Sequence, residues 1–288
     1  MFYRREFMEH RKRQIDTVLE ELKAGVKNVF ARDSYQQWLQ ALAHFHHYSL
    51  NNTLLIAMQM PEATHVASIR TWNQLKRKVK AGSHGIRILV PTPVRVKAED
   101  DEQEEKQIMR FKVGHVFDVS QVEELPDAPP LTPGIRELEG DVDGYDCFLK
   151  AVKTVSPVPV RFDEIPGEAK GYYDPSKLEI VIQTGMSPAQ TAKTCLHELV
   201  HAELHNRDRL RQDGGKTRET KEVEAESTAH VCMLALLGED SSSYSYTYIA
   251  TWSSGKDVPE LVNSLQTIHD TAVDLISRFE KVMREDER

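Results

Sequence analysis

Residues 187–205, SPAQTAKTCLHELVHAELH, read as one helix with a firm start and an unusual face. Ser187 is an N-cap, Pro188 suits the first helical position, and Gln190 completes an S-x-x-Q capping box. His197 and His201 are four residues apart, so they stack on one face and can present imidazole nitrogens to one ion. Glu198 lies about 100° further round the helix, beside that ion but not obliged to bind it. This is the HExxH arrangement, two ligands plus a carboxylate able to take a proton from water. Chance produces the pattern about 0.05 times in a chain of this length and composition, so alone it is suggestive and no more. It does impose a requirement on the fold. Two ligands on one helix leave a tetrahedral site open, and a third must arrive from another element.

His205 continues the same face, but one straight helix cannot wrap three ligands spaced i, i+4 and i+8 around an ion, which makes it a bystander. A glycine three residues and a histidine six residues beyond His201 would make a metzincin. Leu204 and Arg207 hold those positions and exclude that class. The better source is TKEVEAESTAHVCMLALLG, a second helix ending at Gly238. Glu222 and Glu226 share one of its faces. Zinc proteases with a glutamate ligand use such a pair, the first carboxylate on the ion and the second steadying a ligand histidine. The plain alternative is a solvated acidic helix start favoured by the helix dipole. Ala225, Ser227 and Ala229 among the carboxylates argue instead for close helix packing.

The remaining sequence divides into two α+β domains. Helical spacing predicts helices near 4–27 and 34–46, a short apolar helix in SLNNTLLIAMQMP stopped at Pro61, and another in IRTWNQLKRKV. GIRILVPTPVRV and IMRFKVGHVFDVSQ read as strands joined by the acidic run 99–107. QVEELPDAPPLTPG has four prolines and little apolar periodicity, which reads as a linker. The expected domains are therefore 1–120 and 143–288, with 121–142 between them. The second opens with a helix near 143–155, followed by strands VPVRFDE and KLEIVIQ joined through the turn chemistry of GYYDPS.

Charge is unevenly spread. Residues 1–97 carry a balance of +9, residues 98–147 one of −11, and residues 148–288 one of −6. A basic front on an acidic chain raises the question of a polyanionic partner, against the ordinary reading of Lys- and Arg-rich helical surfaces. Lys76, Arg77, Lys78, Lys80 and Arg87 cluster there, with Trp72 and Tyr48 nearby. Cations along a phosphate backbone plus aromatic platforms for unstacked bases suit single-stranded DNA, although Trp72 also reads as a core residue. Three dispersed cysteines argue against a disulfide framework. No apolar run is long enough to span a bilayer, and the charged start MFYRREFMEHRKRQ lacks the apolar stretch of a secretory signal. The expectation is a cytoplasmic protein with no membrane partner.

HELVHAELH, followed by KEVEAESTAHV and SYTYIATW, resembles the peptidase domain of ArdC-type antirestriction proteins, distant relatives of the ImmA/IrrE zinc peptidases. YSLNNTLLIAMQMPEATHVASIRTWNQLKRKVKAGSHGIRILVP and VGHVFDVSQ resemble that family's single-stranded-DNA-binding domain. The resemblance spans nearly the whole chain. It implies an N-terminal helical and β-sheet domain for single-stranded DNA and a C-terminal zincin-like HExxH metallopeptidase domain. It also implies a plasmid- or phage-borne protein that protects incoming DNA from host restriction. By match to the family pattern, His197, His201 and Glu222 would hold Zn2+ (Mn2+ or Co2+ being alternatives) and Glu198 would be the general base. Glu226 would steady a ligand.

The implied reaction is hydrolysis of an unidentified protein substrate, with Tyr172, Tyr173, His205 and His230 as candidate oxyanion donors. LEIVI is a candidate edge strand for pairing with that substrate. Two other functions stay open: a non-proteolytic DNA-binding shield with a structural zinc, and a regulatory peptidase that cleaves a repressor.

Overall fold

A computed structural model of the chain describes residues 2–30, 32–97, 105–131, 142–204, 216–238, 252–254 and 256–286. The chain forms two compact units, Met1–Val29 with Asn51–Thr132, and Phe30–Leu50 with Pro133–Arg288. His205 and most of SYTYIATW lie outside the described residues.

The first unit contains helix α1 (Phe2–Val29), which buries Val18, Leu22, Val26 and Val29 at helical spacing. Helix α3 (Leu50–Gln59) enters this unit, the intervening α2 belonging to the second. Strands β3 (Ile86–Lys97) and β4 (Glu105–Asp118) form a long antiparallel hairpin, and β1 (Val66–Ala67) pairs with the end of β4 in the order β1-β4-β3. β3 is thus an edge, and α3 satisfies part of it. Asn52 Nδ2 donates to the Leu89 carbonyl at 3.0 Å while its Oδ1 accepts from the Leu89 amide at 2.8 Å. Gln59 repeats the exchange with Arg87, at 3.0 Å in both directions. Two side-chain amides here take the place of a neighbouring strand.

Helix α4 (Ile69–Gln74) is capped by Ser68, and β2 (Arg77–Val79) pairs antiparallel with β5 (Val122–Glu124). The expected linker from residue 121 therefore begins inside the first unit, because Val122 is needed to bury Trp72 and Phe117.

Asp118 organises this corner. It is 2% exposed, and its carboxylate accepts from the amides of Thr64, His65 and Ser120 at 2.9–3.0 Å. Gln121 Oε1 closes a capping box by accepting from the Asp118 amide at 2.9 Å. Burial raises the Asp118 pKa, but the backbone donors outweigh it and hold the carboxyl below its ordinary value. A depressed folded pKa contributes stability above the unfolded value of about 3.9, and that contribution is lost as pH falls through the folded value. Asp118→Ala should cost about 2–4 kcal/mol, since three backbone amides lose a charged acceptor. It should also flatten the acid limb of the stability profile, measured by urea melts between neutral pH and pH 3.

The second unit contains helix α2 (Arg32–His44), helix α5 (Val142–Val155) and a three-stranded sheet. In that sheet β8 (Glu179–Gln183) runs parallel to β6 (Val160–Asp163) and antiparallel to β7 (Gly171–Asp174), giving the order β6-β8-β7. β8 holds the LEIVI segment, and it is the central strand rather than an edge. Ile180, Val181 and Ile182 are at most 1% exposed, the continuous apolar run of a strand covered on both faces.

Helices α6 (Pro188–Leu204), α7 (Arg218–Leu237) and α8 (Val258–Asp286) complete the unit. Ser187 caps α6 through its hydroxyl, which accepts from the Gln190 amide at 3.3 Å. The expected capping box is only half made: the Gln190 side chain turns to Thr194 Oγ1 at 3.1 Å. Thr217 caps α7, and Gly238 ends it in the left-handed region at φ 66°.

α2 packs against α7, with Tyr35 Oη and Ser227 Oγ sharing a buried hydrogen bond of 2.7 Å. The Tyr48 carbonyl lies 2.9 Å from His269 Nε2 on α8. A segment near the start of the sequence is thereby part of the core behind the glutamates of α7.

Candidate metal centre

α6 and α7 pack side by side, and this crossing brings the separated ligands together. His197 Nε2 and His201 Nε2 are 3.0 Å apart. Glu222 Oε2 lies 3.6 Å from the first and 3.7 Å from the second. Two atoms bound at about 2.0–2.1 Å to one tetrahedral ion stand roughly 3.3 Å apart, so these separations fit a divalent cation held by two imidazoles and a carboxylate. Among the described residues they form the one cluster whose donor atoms fall within 4.8 Å of one another.

Glu226, one turn beyond Glu222, places Oε2 2.5 Å from His197 Nδ1. The contact is out of line with the ring N–H, which has no aligned hydrogen-bond acceptor. It is an electrostatic clamp rather than a directed bond, and it lies on the far nitrogen, where a carboxylate orients a ligand histidine.

The electrostatics follow from this crowding. Burial alone lowers the His197 pKa, but Glu222, Glu226 and Glu198 overcome it and raise the ring to about 9. His197 and His201 in turn hold the Glu222 carboxyl well below its ordinary range, against the effect of burial. Glu198 is 8% exposed. Burial pushes its carboxyl up, while His197, His201 and the Tyr173 backbone amide pull it part of the way back. A carboxylate kept basic beside a cation site is suited to accepting a proton. Cys195, on the buried side of α6, is raised to about 12 chiefly by burial and is an inert core thiol.

A cleft of about 360 Å³ opens beside His197, Glu198 and Glu226. Its other walls are Gln190, Lys193 and Thr194 of α6, and Glu168, Lys170 and Gly171 leading into β7. None of these six was read as a site residue from the sequence, Gln190 having been noted only for its place in the helix cap. The available signal was the three- and four-residue spacing of Gln190, Lys193, Thr194 and His197, which places them on the metal-facing side of the helix. Gly171 is required by space, since a Cβ there would stand 2.6 Å from the Thr194 methyl. The glycine lets β7 lie close against α6, which is what brings the Tyr173 amide to Glu198. Tyr173, a candidate oxyanion donor, contributes its backbone amide to the base. Tyr172 is 37% exposed on the same strand, and His230 is 2% exposed.

The DNA-contact candidates in the first unit are more scattered. Trp72 is 1% exposed and donates its indole N–H to the Phe117 carbonyl at 2.8 Å; buried on all sides, it offers no face to a base. Arg77 is 2% exposed and paired with Glu124, its partner across the β2–β5 ladder, at 2.6 Å. Arg87 pairs with Glu21 at 2.9 Å and Lys76 approaches Asp127 at 3.9 Å. Lys78 and Lys80 are exposed, with Lys80 Nζ donating to the Ser120 carbonyl at 2.8 Å.

Residues 8–117 match the family model for the N-terminal domain of anti-restriction factor ArdC, and residues 157–237 match that of the IrrE N-terminal-like domain, a peptidase family. The two-domain architecture thus matches an ArdC N-terminal domain followed by an IrrE-like peptidase domain. The second match contains all three candidate ligands, Glu198 and Glu226. The first contains α2, which in three dimensions packs in the second unit.

The metal-free crystal structure of antirestriction protein ArdC from plasmid R388 superposes with a TM-score of 0.58 at 20% identity, covering 92% of this chain and 97% of that one. The Mn(II)-bound structure of the same protein gives 0.54 at 18% identity, with the same coverage. At such identities the likeness is one of fold. An uncharacterized protein of Bacillus anthracis is 26% identical in an alignment 286 residues long that covers 86% of this chain and 48% of that protein. The chain thus spans about half the length of that relative. Among the described residues, no helix is long and apolar enough to cross a membrane.

Proposed function

We propose that this chain is an antirestriction protein that binds single-stranded DNA through its first unit and hydrolyses peptide bonds at the HExxH centre of its second. The observation that supports the peptidase half is the convergence of His197, His201 and Glu222 beside a buried, basic Glu198. A purely structural metal site has no use for that carboxylate, which argues against the shield with a structural zinc.

His197, His201 and Glu222 would hold the ion, Zn2+ or Mn2+ by the chemistry of two imidazoles and a carboxylate. When bound, such a cation supplies Lewis acidity toward water and toward a peptide carbonyl. Glu198 takes a proton from the attacking water and delivers it to the leaving amine. Glu226 holds the His197 ring in orientation, and the Tyr173 amide fixes Glu198.

The edge of the sheet nearest this chemistry is β7. The Lys170 carbonyl accepts from the Gln183 amide at 2.9 Å, so hydrogen-bonded pairs alternate from there and turn the polar groups of Gly171 and Tyr173 outward. Tyr173 uses its amide on Glu198, and the Gly171 backbone is placed to pair with an extended substrate.

For DNA, Lys78 and Lys80 are the exposed cations of the β2 region, with Lys76 and Arg87 beside them in surface ion pairs that phosphates can replace at little cost. The test of the joint reading is binding and protection together. The full chain should bind oligo-dT with an affinity that falls steeply as salt rises, and Lys78→Glu with Lys80→Glu should weaken it about tenfold or more. The same variant should fail to protect transferred DNA in a restricting recipient. Salt-independent binding, or full protection by the double variant, would contradict the assignment.

A further inference from the structure

We infer that Lys216 and Glu224 form a buried ion pair that sets the rotation of α7 and so positions Glu222 and Glu226 toward the metal centre. This rests on the reading of His197, His201 and Glu222 as ligands and adds the residues that aim the third of them.

Glutamates occupy three alternate positions in the N-terminal half of α7, at Glu222, Glu224 and Glu226. At about 100° per residue, the outer two lie about 40° apart and the middle one points roughly the opposite way. Glu222 and Glu226 face the histidines of α6. Glu224 turns into the core, where it is 0% exposed.

α8 packs on α7 and meets this carboxylate. Ser264 Oγ donates to Glu224 Oε1 at 3.0 Å. Lys216 Nζ donates to both carboxylate oxygens at 3.0 Å and to Thr267 Oγ1 at 3.3 Å. Thr267 can accept because its own proton goes to the Asn263 carbonyl at 2.9 Å. All three ammonium protons of Lys216 thus have acceptors. Lys216 directly precedes the Thr217 cap and Glu224 lies two turns into the helix, so the pair brackets Glu222.

Stability does not account for this arrangement. A buried ion pair gains little over apolar side chains of the same volume, because desolvation offsets the attraction. What α7 otherwise lacks is a contact that fixes its rotation. Every residue from Ser227 to Met233 is buried, and a helix covered all round has no polar face to define which side meets α6. The ion pair supplies that definition. Turning α7 about its axis breaks the Lys216 and Ser264 bonds together and leaves a carboxylate unpaired in the core, which is far costlier than a shift of apolar contacts.

The test replaces the cluster in the full chain by apolar groups of similar volume, as Lys216→Met with Glu224→Leu and Ser264→Ala. This exchange should leave the urea midpoint at or above that of the wild type. The centre is then probed with Co2+, whose visible spectrum reports the geometry of its ligands. The variant should bind Co2+ about tenfold more weakly or worse, with a spectrum at saturating Co2+ that differs from the wild type. That spectrum comes only from folded, loaded molecules, so a loss of stability does not move it. If the triple variant does not fold, Glu224→Gln, which keeps the side-chain volume, takes its place with the same readouts. A wild-type spectrum at saturation, whatever the affinity, would overturn the inference and leave the ligand reading standing. Co2+ binding that Glu222→Ala leaves unchanged would overturn both.

Discussion

Glu198→Gln is expected to abolish peptide cleavage while leaving the metal content and single-stranded-DNA affinity of the protein unchanged. The substitution keeps the volume and the hydrogen-bonding shape of a side chain that is 8% exposed, so packing along α6 survives. It removes the carboxylate beside the ligands that would accept a proton from water. General-base catalysis contributes about 10²–10⁴-fold, and a loss of at least that size should appear in kcat, with KM little changed. Metal content by mass spectrometry, a thermal melt and cleavage of a peptide library make up the measurement. Cleavage at the wild-type rate would remove Glu198 from the mechanism. Because His197, His201 and Glu222 are untouched, loss of metal in this variant would instead show that Glu198 is itself a ligand.

The second large effect concerns a part of the sequence far from the motif. A fragment of residues 143–288 contains the entire HExxH region and both α7 glutamates, yet it should neither melt cooperatively nor retain stoichiometric metal. It lacks α2, whose Tyr35, Trp38, Leu39 and Leu42 are 0% exposed and whose neighbour Phe45 is 2% exposed. At about 1.5–3 kcal/mol for each large apolar side chain removed from water, these five contribute on the order of 10 kcal/mol. A domain has only about 5–15 kcal/mol of net stability in total.

The loss is also local to the site. Tyr35 bonds to Ser227, the residue after Glu226, so α2 braces the helix that supplies the third ligand. Within the full chain, Leu42→Ala should cost about 2–5 kcal/mol, measured by chemical denaturation, and should weaken metal retention along with it. A fragment 143–288 that melts cooperatively and binds metal as tightly as the full chain would refute this account.

The chemistry of the centre was legible in the sequence because helical periodicity is local. Four residues is one turn whatever the surroundings, so His197 with His201, and Glu222 with Glu226, had to share faces once their segments were helical. Ser187 could likewise be read as a cap. Local patterns said nothing reliable about which side of an element is covered. Trp72 and Arg77 resemble nucleic-acid contacts in a basic segment, and burial withdrew both from the surface, Trp72 against Phe117 and Val122 and Arg77 in its pair with Glu124. LEIVI has the composition of any buried strand, and only the placement of β6 and β7 on its two sides decided that it is central.

What the sequence determined by itself was a set of ligand types with helical spacing and two regions of different character. What the tertiary structure decided was which of those regions each residue serves. The packing of α6 on α7 set Glu222 Oε2 within 3.7 Å of both imidazoles, and the missing side chain at Gly171 set β7 against the base. The apolar face of α2 placed Phe30–Leu50 in the second unit, although its family match runs with the first. The physical reason is common to all three. Spacing along a helix is fixed by backbone hydrogen bonds a few residues apart, whereas the partner of a buried face is chosen by shape and apolar area across the whole chain.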